Sequence, residues 1–113
     1  MQRAALEERV ARLGRVVARA ASETPSESRQ TALEALARFA GELARHFADA
    51  EARANAEGAN DARARLRAEL AEIEQRARAA GDWPESWRAV SAAFTRFARA
   101  LDEHERAEEL QAS

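Results

Sequence analysis

The sequence predicts an all-α protein: an up-down-up-down antiparallel four-helix bundle built from a duplicated helical hairpin. Three observations carry this. The first is composition. Of 113 residues, thirty-one are alanine, all eighteen basic residues are arginine, and cysteine, lysine and tyrosine are missing. Alanine, arginine, glutamate and leucine lose little side-chain freedom in a helix, so they favour it. The second is a repeat at an offset of 58. Thr24-Pro25-Ser26-Glu27 falls on Asp82-Trp83-Pro84-Glu85, Leu36 on Phe94, Phe39 on Phe97, Leu43 on Leu101 and His46 on His104. The third is apolar spacing of four and three along each segment, which places large side chains on one helical face.

The elements follow in order. Helix 1 is expected over about 2–22, with Leu6, Val10, Leu13, Val17 and Ala20 as its stripe. Pro25 stops it, because proline cannot continue the hydrogen-bond ladder. Helix 2 is expected over 25–57. Thr24 is its N-cap, Pro25 its first residue, and Glu27 completes a capping box. Its stripe is Leu33, Leu36, Ala40, Leu43 and Phe47, with Phe39 and His46 on the flank. The stretch Asn55 to Gly58 reads as a loop.

Helix 3 is expected over 60–80, carrying Leu66, Leu70, Ile73, Ala77 and Ala80, and Gly81 closes it. Helices 1 and 3 match at an offset of 60, Leu6 on Leu66 and Val10 on Leu70. Helix 4 is expected over 83–111. Asp82-Trp83-Pro84-Glu85 is its capping box, and its stripe is Trp83, Trp87, Val90, Phe94, Phe97, Leu101, His104 and Glu108. Both tryptophans are expected to pack where it begins. The hairpins span about 2–57 and 60–112 of a single domain, 1–113. Short connections make sequential helices antiparallel neighbours, which puts helices 2 and 4 on a diagonal.

Composition also excludes. Without cysteine there are no disulfides or thiolate metal sites. No apolar run approaches the roughly 20 residues of a membrane span, and no apolar signal core follows Met1. A cytoplasmic protein is expected. The alanine and arginine excess suggests a GC-rich bacterial source. Net charge is −2 with the signs interspersed, which gives no electrostatic footprint for nucleic acid. Glu8–Arg12, Glu34–Arg38, Glu72–Arg76 and Glu74–Arg78 are surface pairs at i,i+4, each contributing a few tenths of a kcal/mol. Only twenty large apolar side chains are present, a thin core that a ligand or a second subunit would complete.

His46 and His104 are the only histidines. Each lies 21 residues past a matched helix start, Pro25 or Trp83, so they are expected in one layer with at least His104 facing inward. Glu108, four residues after His104, shares its helical face. Imidazoles and a carboxylate at this spacing suit a metal ion or metal cofactor, so His46, His104 and Glu108 form the candidate site. The competing reading makes both histidines ordinary bundle residues.

The segments His46-Phe47-Ala48-Asp49-Ala50-Glu51 and Glu103-His104-Glu105-Arg106-Ala107-Glu108-Glu109 close helices 2 and 4. With the turn Ala80-Gly81-Asp82-Trp83 and the following Trp87, the chain resembles the hemerythrin-like (HHE cation-binding) family over essentially its whole length. That resemblance implies the bundle. It also implies a non-haem di-iron centre with histidines and bridging carboxylates drawn from all four helices. Here helices 1 and 3 carry no histidine, and Ala50 stands where a carboxylate would follow His46. The resemblance thus implies the fold more than the activity, and no classical di-iron centre is expected. The Glu-x-x-His pattern of ferritin-like bundles is also missing, since Leu43 and Leu101 precede the histidines.

Three functional expectations follow. The first is a non-enzymatic bundle that binds iron or another metal cofactor through His46 and His104. The second is a metal-free helical interaction module or homodimer. The third is a haem held between the two imidazoles, sleeved by Phe39, Phe97, Leu43 and Leu101. An enzyme is not expected: no nucleophile stands with its base, and no phosphate-binding glycine loop is present.

Overall fold

The computed structural model describes residues 2–22, 26–53 and 57–112. They form four helices: α1 (Arg3–Ser22), α2 (Ser26–Arg53), α3 (Glu57–Ala80) and α4 (Pro84–Ala112). No strand occurs among the described residues. Helix α1 packs against α2 and α4, and α3 packs against the same two, so α1–α3 and α2–α4 are the diagonals. The body measures 46 × 22 × 19 Å. That length is set by α2 and α4, whose 28 and 29 residues rise about 1.5 Å each. None of the described helices is long and apolar enough to cross a membrane.

Boundaries agree closely for α1 and α4. The expected Thr24–Pro25 cap lies outside the described residues. Helix α2 ends at Arg53, short of the expected 57, and α3 begins at Glu57 instead of 60, so the break falls earlier in the sequence than expected.

The turn into α4 differs from the capping box read at Asp82. The first intrahelical bond runs from Trp87 N to Trp83 O at 3.2 Å, so Trp83 is the N-cap and Pro84 the first helical residue. Asp82 instead accepts from Arg29 on both its carbonyl and its carboxylate, at 2.6 and 3.4 Å. Gly81 takes φ = 55°, the left-handed conformation that ends α3 at little steric cost. Trp83 is non-helical, so its side chain leaves the 3.6-residue stripe and lies 73% exposed, against the expectation that it packs. Trp87 is fully buried, and its indole Nε1 donates to Gly81 O at 2.9 Å.

The core runs the length of the bundle. Leu6, Leu13, Val17 and Ala20 are buried from α1, and Leu66, Leu70, Ile73, Ala77 and Ala80 from α3. Helix α4 contributes Trp87, Val90, Phe94, Phe97 and Leu101. The face of α2 is rotated from its expected stripe. Phe39 and His46 are buried with Ala32, Leu36, Leu43 and Phe47, while Leu33 and Ala40 move to the edge. Burying a ring removes far more apolar area from water than burying an alanine, so the rings take the centre.

Arg29 closes the end where α3 turns into α4. It is 4% exposed, and its Nε donates to Ala20 O at the end of α1 while Nη1 reaches Asp82 O. One guanidinium thus joins α1, α2 and the α3–α4 turn. Outside, Glu8–Arg12, Glu72–Arg76 and Glu74–Arg78 form as expected. Gln30, rather than Arg38, bonds Glu34.

The two tryptophans separate burial from composition. Trp87→Ala is expected to lower unfolding free energy by about 3–5 kcal/mol in urea denaturation. Trp83→Ala should change it by less than about 0.5 kcal/mol. Equal effects would contradict the helix start at Pro84.

Candidate functional site

The candidate site lies where α2 and α4 end and α1 and α3 begin. Because α2 and α4 run parallel on the diagonal, residues at equal distance from their starts share a level. Phe47 shows this directly: its ring centroid lies 5.8 Å from that of His46 and 5.8 Å from that of His104. Phe47 and His104 meet edge to face at 77°. Both histidines turn inward, His46 buried and the His104 side chain 11% exposed.

The contacts cross the diagonal in pairs. His46 meets Glu105, and Phe47 meets His104. His46 Nε2 lies 2.7 Å from Glu105 Oε1 with both side chains at least nine-tenths buried. A carboxylate only accepts, so Nε2 carries the proton. His46 Nδ1 is then left without a partner. His104 Nε2 lies 3.0 Å from Glu108 Oε1 but is not aligned as a hydrogen bond. Proximity alone makes this a weaker contact than the His46–Glu105 bond.

Glu108 is engaged from α3. Arg63, 2% exposed, donates from Nη2 to Glu108 Oε1 and from Nη1 to Asn60 Oδ1 at 2.9 Å. Arg63 Nε is buried without a partner. A buried guanidinium needs a carboxylate, and Glu108 is the one it has. Arg3 of α1 reaches Glu109 at 2.8 Å at the exposed rim.

The layer therefore holds His46, His104 and Glu108 as expected, together with Glu105 and Arg63, which the sequence reading did not single out. Glu105 was hidden because it follows the histidine directly and lies off the four–three stripe. Arg63 was hidden because a charge near a helix start ordinarily reads as surface. One signal was available: Arg63 repeats Arg3 at the same offset of 60 that relates α1 to α3.

The three expected metal ligands do not converge. Glu105 takes His46, Arg63 takes Glu108, and Phe47 packs against both imidazoles. No group of three or more His, Asp and Glu side chains is placed to hold a metal ion among the described residues. A haem plane between the imidazoles would need the space that fully buried Phe47 fills. As arranged, these residues fit neither group.

A second feature adjoins the layer. Between the N-terminal half of α1 and α4 runs an apolar groove of about 210 Å³, walled by Leu6, Val10, Ala11, Ala98 and Leu101. Glu105 lines it, with Arg3, Glu7 and Asp102 also bordering it. Alanine at 11 and 98 leaves the depth that a larger side chain would fill.

No protein-family model matches the chain, and no curated protein or solved structure matches it.

The buried pair can be tested by a double-mutant cycle. Glu105→Ala is expected to cost about 1–3 kcal/mol, because it leaves the buried His46 Nε2 without its partner. His46→Leu combined with Glu105→Leu should recover most of that loss, since an apolar pair of similar volume removes both buried polar groups. Additive losses in thermal or urea unfolding would show that the two side chains do not interact.

Proposed function

We propose that the protein is a non-catalytic helical interaction module, and that the groove between α1 and α4 is its binding surface. The observation that carries this reading is the groove itself: apolar walls built largely from Leu6, Val10, Ala98 and Leu101, open along the seam of two helices. A seam of this kind suits the apolar face of an amphipathic helix, which anchors at i, i+3, i+4 and i+7. The chemistry of the histidine layer supports it from the other side. Its carboxylates are occupied by His46 and Arg63, which suits holding helices together better than turning over a substrate. The bundle architecture agrees with the hemerythrin-like resemblance, but a fold shared by many functions does not select one.

The test uses a capped, uncharged 18-residue helical peptide with a leucine and alanine face, titrated into the ¹⁵N-labelled chain. Amide shifts should cluster at residues 3–11 and 98–105. Ala98→Trp, which fills the groove, should weaken binding at least tenfold while leaving the helical circular dichroism unchanged. Shifts confined to another seam, or none at all, would refute the reading. Sedimentation velocity across concentrations distinguishes a second copy of the chain as the occupant.

The metal expectation has its own measurement. Zinc or ferrous iron titrated into the purified chain should give no one-to-one site by calorimetry. A stoichiometric site lost in both His46→Ala and His104→Ala would show that the layer rearranges around a metal.

A further inference from the structure

Each hairpin is fastened to itself. In the first, Arg9 of α1 donates to Glu42 of α2, and Arg29 of α2 donates to Ala20 O at the end of α1. In the second, Arg63 of α3 donates to Glu108 of α4, and Trp87 donates back to Gly81 O in the turn. Other polar contacts run between the hairpins. His46 meets Glu105, Phe47 meets His104, Arg29 meets Asp82 and Arg3 meets Glu109. A second copy of the chain presents the same surfaces, so these contacts do not depend on which copy supplies them.

The link between the hairpins is short and lacks a stop signal. Helix α2 ends at Arg53 and α3 begins at Glu57, and the sequence between is Ala54-Asn55-Ala56. No glycine or proline occurs from Glu42 to Glu57. The other connections carry one: Pro25 stands before α2, and Gly81, at φ = 55°, and Pro84 separate α3 from α4. Alanine at 50, 52, 54 and 56 favours helix. A helix running on from α2 into α3 pairs the last carbonyls of one with the first N–H groups of the other, which a break leaves without intrahelical partners. The two hairpins then point apart, and each needs the complementary hairpin of another copy.

We propose that two copies of the chain exchange hairpins, α1 and α2 of one packing on α3 and α4 of the other, so that each His46 meets the partner's Glu105. Exchange retains the contacts of the single chain, which makes it a low-cost route to a dimer. The α1–α4 seam is rebuilt unchanged, so the inference stands apart from the groove reading.

The experiment refolds the full chain from urea at rising concentration and separates it by size exclusion with light scattering. A species of twice the chain mass should grow with concentration; monomer alone throughout would overturn the proposal. By small-angle scattering that dimer should be about 80 Å long, since residues 26–80 as one helix rise about 1.5 Å each. A dimer as short as the 46 Å single bundle would be a side-by-side pair and would overturn the exchange. Two variants test it independently. One carries Leu36→Asp and Leu43→Asp in the first hairpin, the other Phe94→Asp and Leu101→Asp in the second, all four sites buried. Each alone should lose cooperative unfolding, because it buries charge. Refolded together they should give a heterodimer with one intact bundle that melts at the native temperature; no recovery would overturn the exchange. Lengthening the link by about six glycine and serine residues should leave a folded monomer and cut the dimer at least tenfold. An unchanged dimer fraction would overturn the role given to the link.

Discussion

The end of α4 holds the other three helices in register, and the site depends on that. Within five residues α4 presents Glu105, Glu108 and Glu109, and these receive His46 from α2, Arg63 from α3 and Arg3 from α1. The three contacts are not equal. The Arg3–Glu109 pair is well exposed on both sides, and surface pairs contribute roughly 0–1 kcal/mol. The His46–Glu105 and Arg63–Glu108 contacts are buried or nearly so. Desolvation makes the absence of either partner costly there, even where the pair itself adds little net stability. Their value is specificity: a helix that slid by one turn would strand a buried ion, whereas an alanine-rich interface alone would tolerate the slip.

Duplication explains where these polar contacts come from, and divergence explains their form. At the offset of 58, His46 and His104 are twins, but Phe47 is the twin of Glu105 and Ala50 the twin of Glu108. A symmetric pair of hairpins would place the same two contacts across the diagonal. Here one contact is a histidine on a carboxylate and the other a histidine against an aromatic edge. The opposite end diverges in the same manner. Arg29 is the twin of Trp87. Both send a nitrogen donor to a carbonyl at a helix end, Arg29 to Ala20 and Asp82, and Trp87 to Gly81. Each closure satisfies carbonyls that a helix terminus would otherwise leave unpaired.

Much of the fold was legible because it rests on periodicity. The stripes of α1 and α3 are buried almost residue for residue, and Gly81 ends α3 as its sequence position implied. What was not legible rests on tertiary choice. Two adjacent stripes compete on α2, and only packing against its neighbours α1 and α3 and across the core selects the one with Phe39 and His46. Trp83 looked like core by spacing, yet a cap residue does not obey helical spacing. Arg29, Arg63 and Glu105 carry the charges that mark a surface in sequence, and each is buried because a specific carbonyl, carboxylate or imidazole lies opposite. The placement of His46 and His104 in one layer followed from counting. Phe47 standing against both rings did not, since its own position on the stripe said only that it was buried.

The contacts within the same layer bear on metal ligation. A site poised for ligation keeps its donors free or bound to water. Here the carboxylates nearest the imidazoles are committed, one to His46 and one to Arg63. Freeing them means exposing buried charge, and the packed Phe47 ring must also be displaced to bring the imidazoles to a common atom. Each change costs several kcal/mol, of the order of the whole stability of a small domain. The groove between α1 and α4 demands no such rearrangement, because its apolar walls are already formed. On the proposed reading a partner helix enters along the α1–α4 seam, beside the layer in which α4 meets α2 and α3.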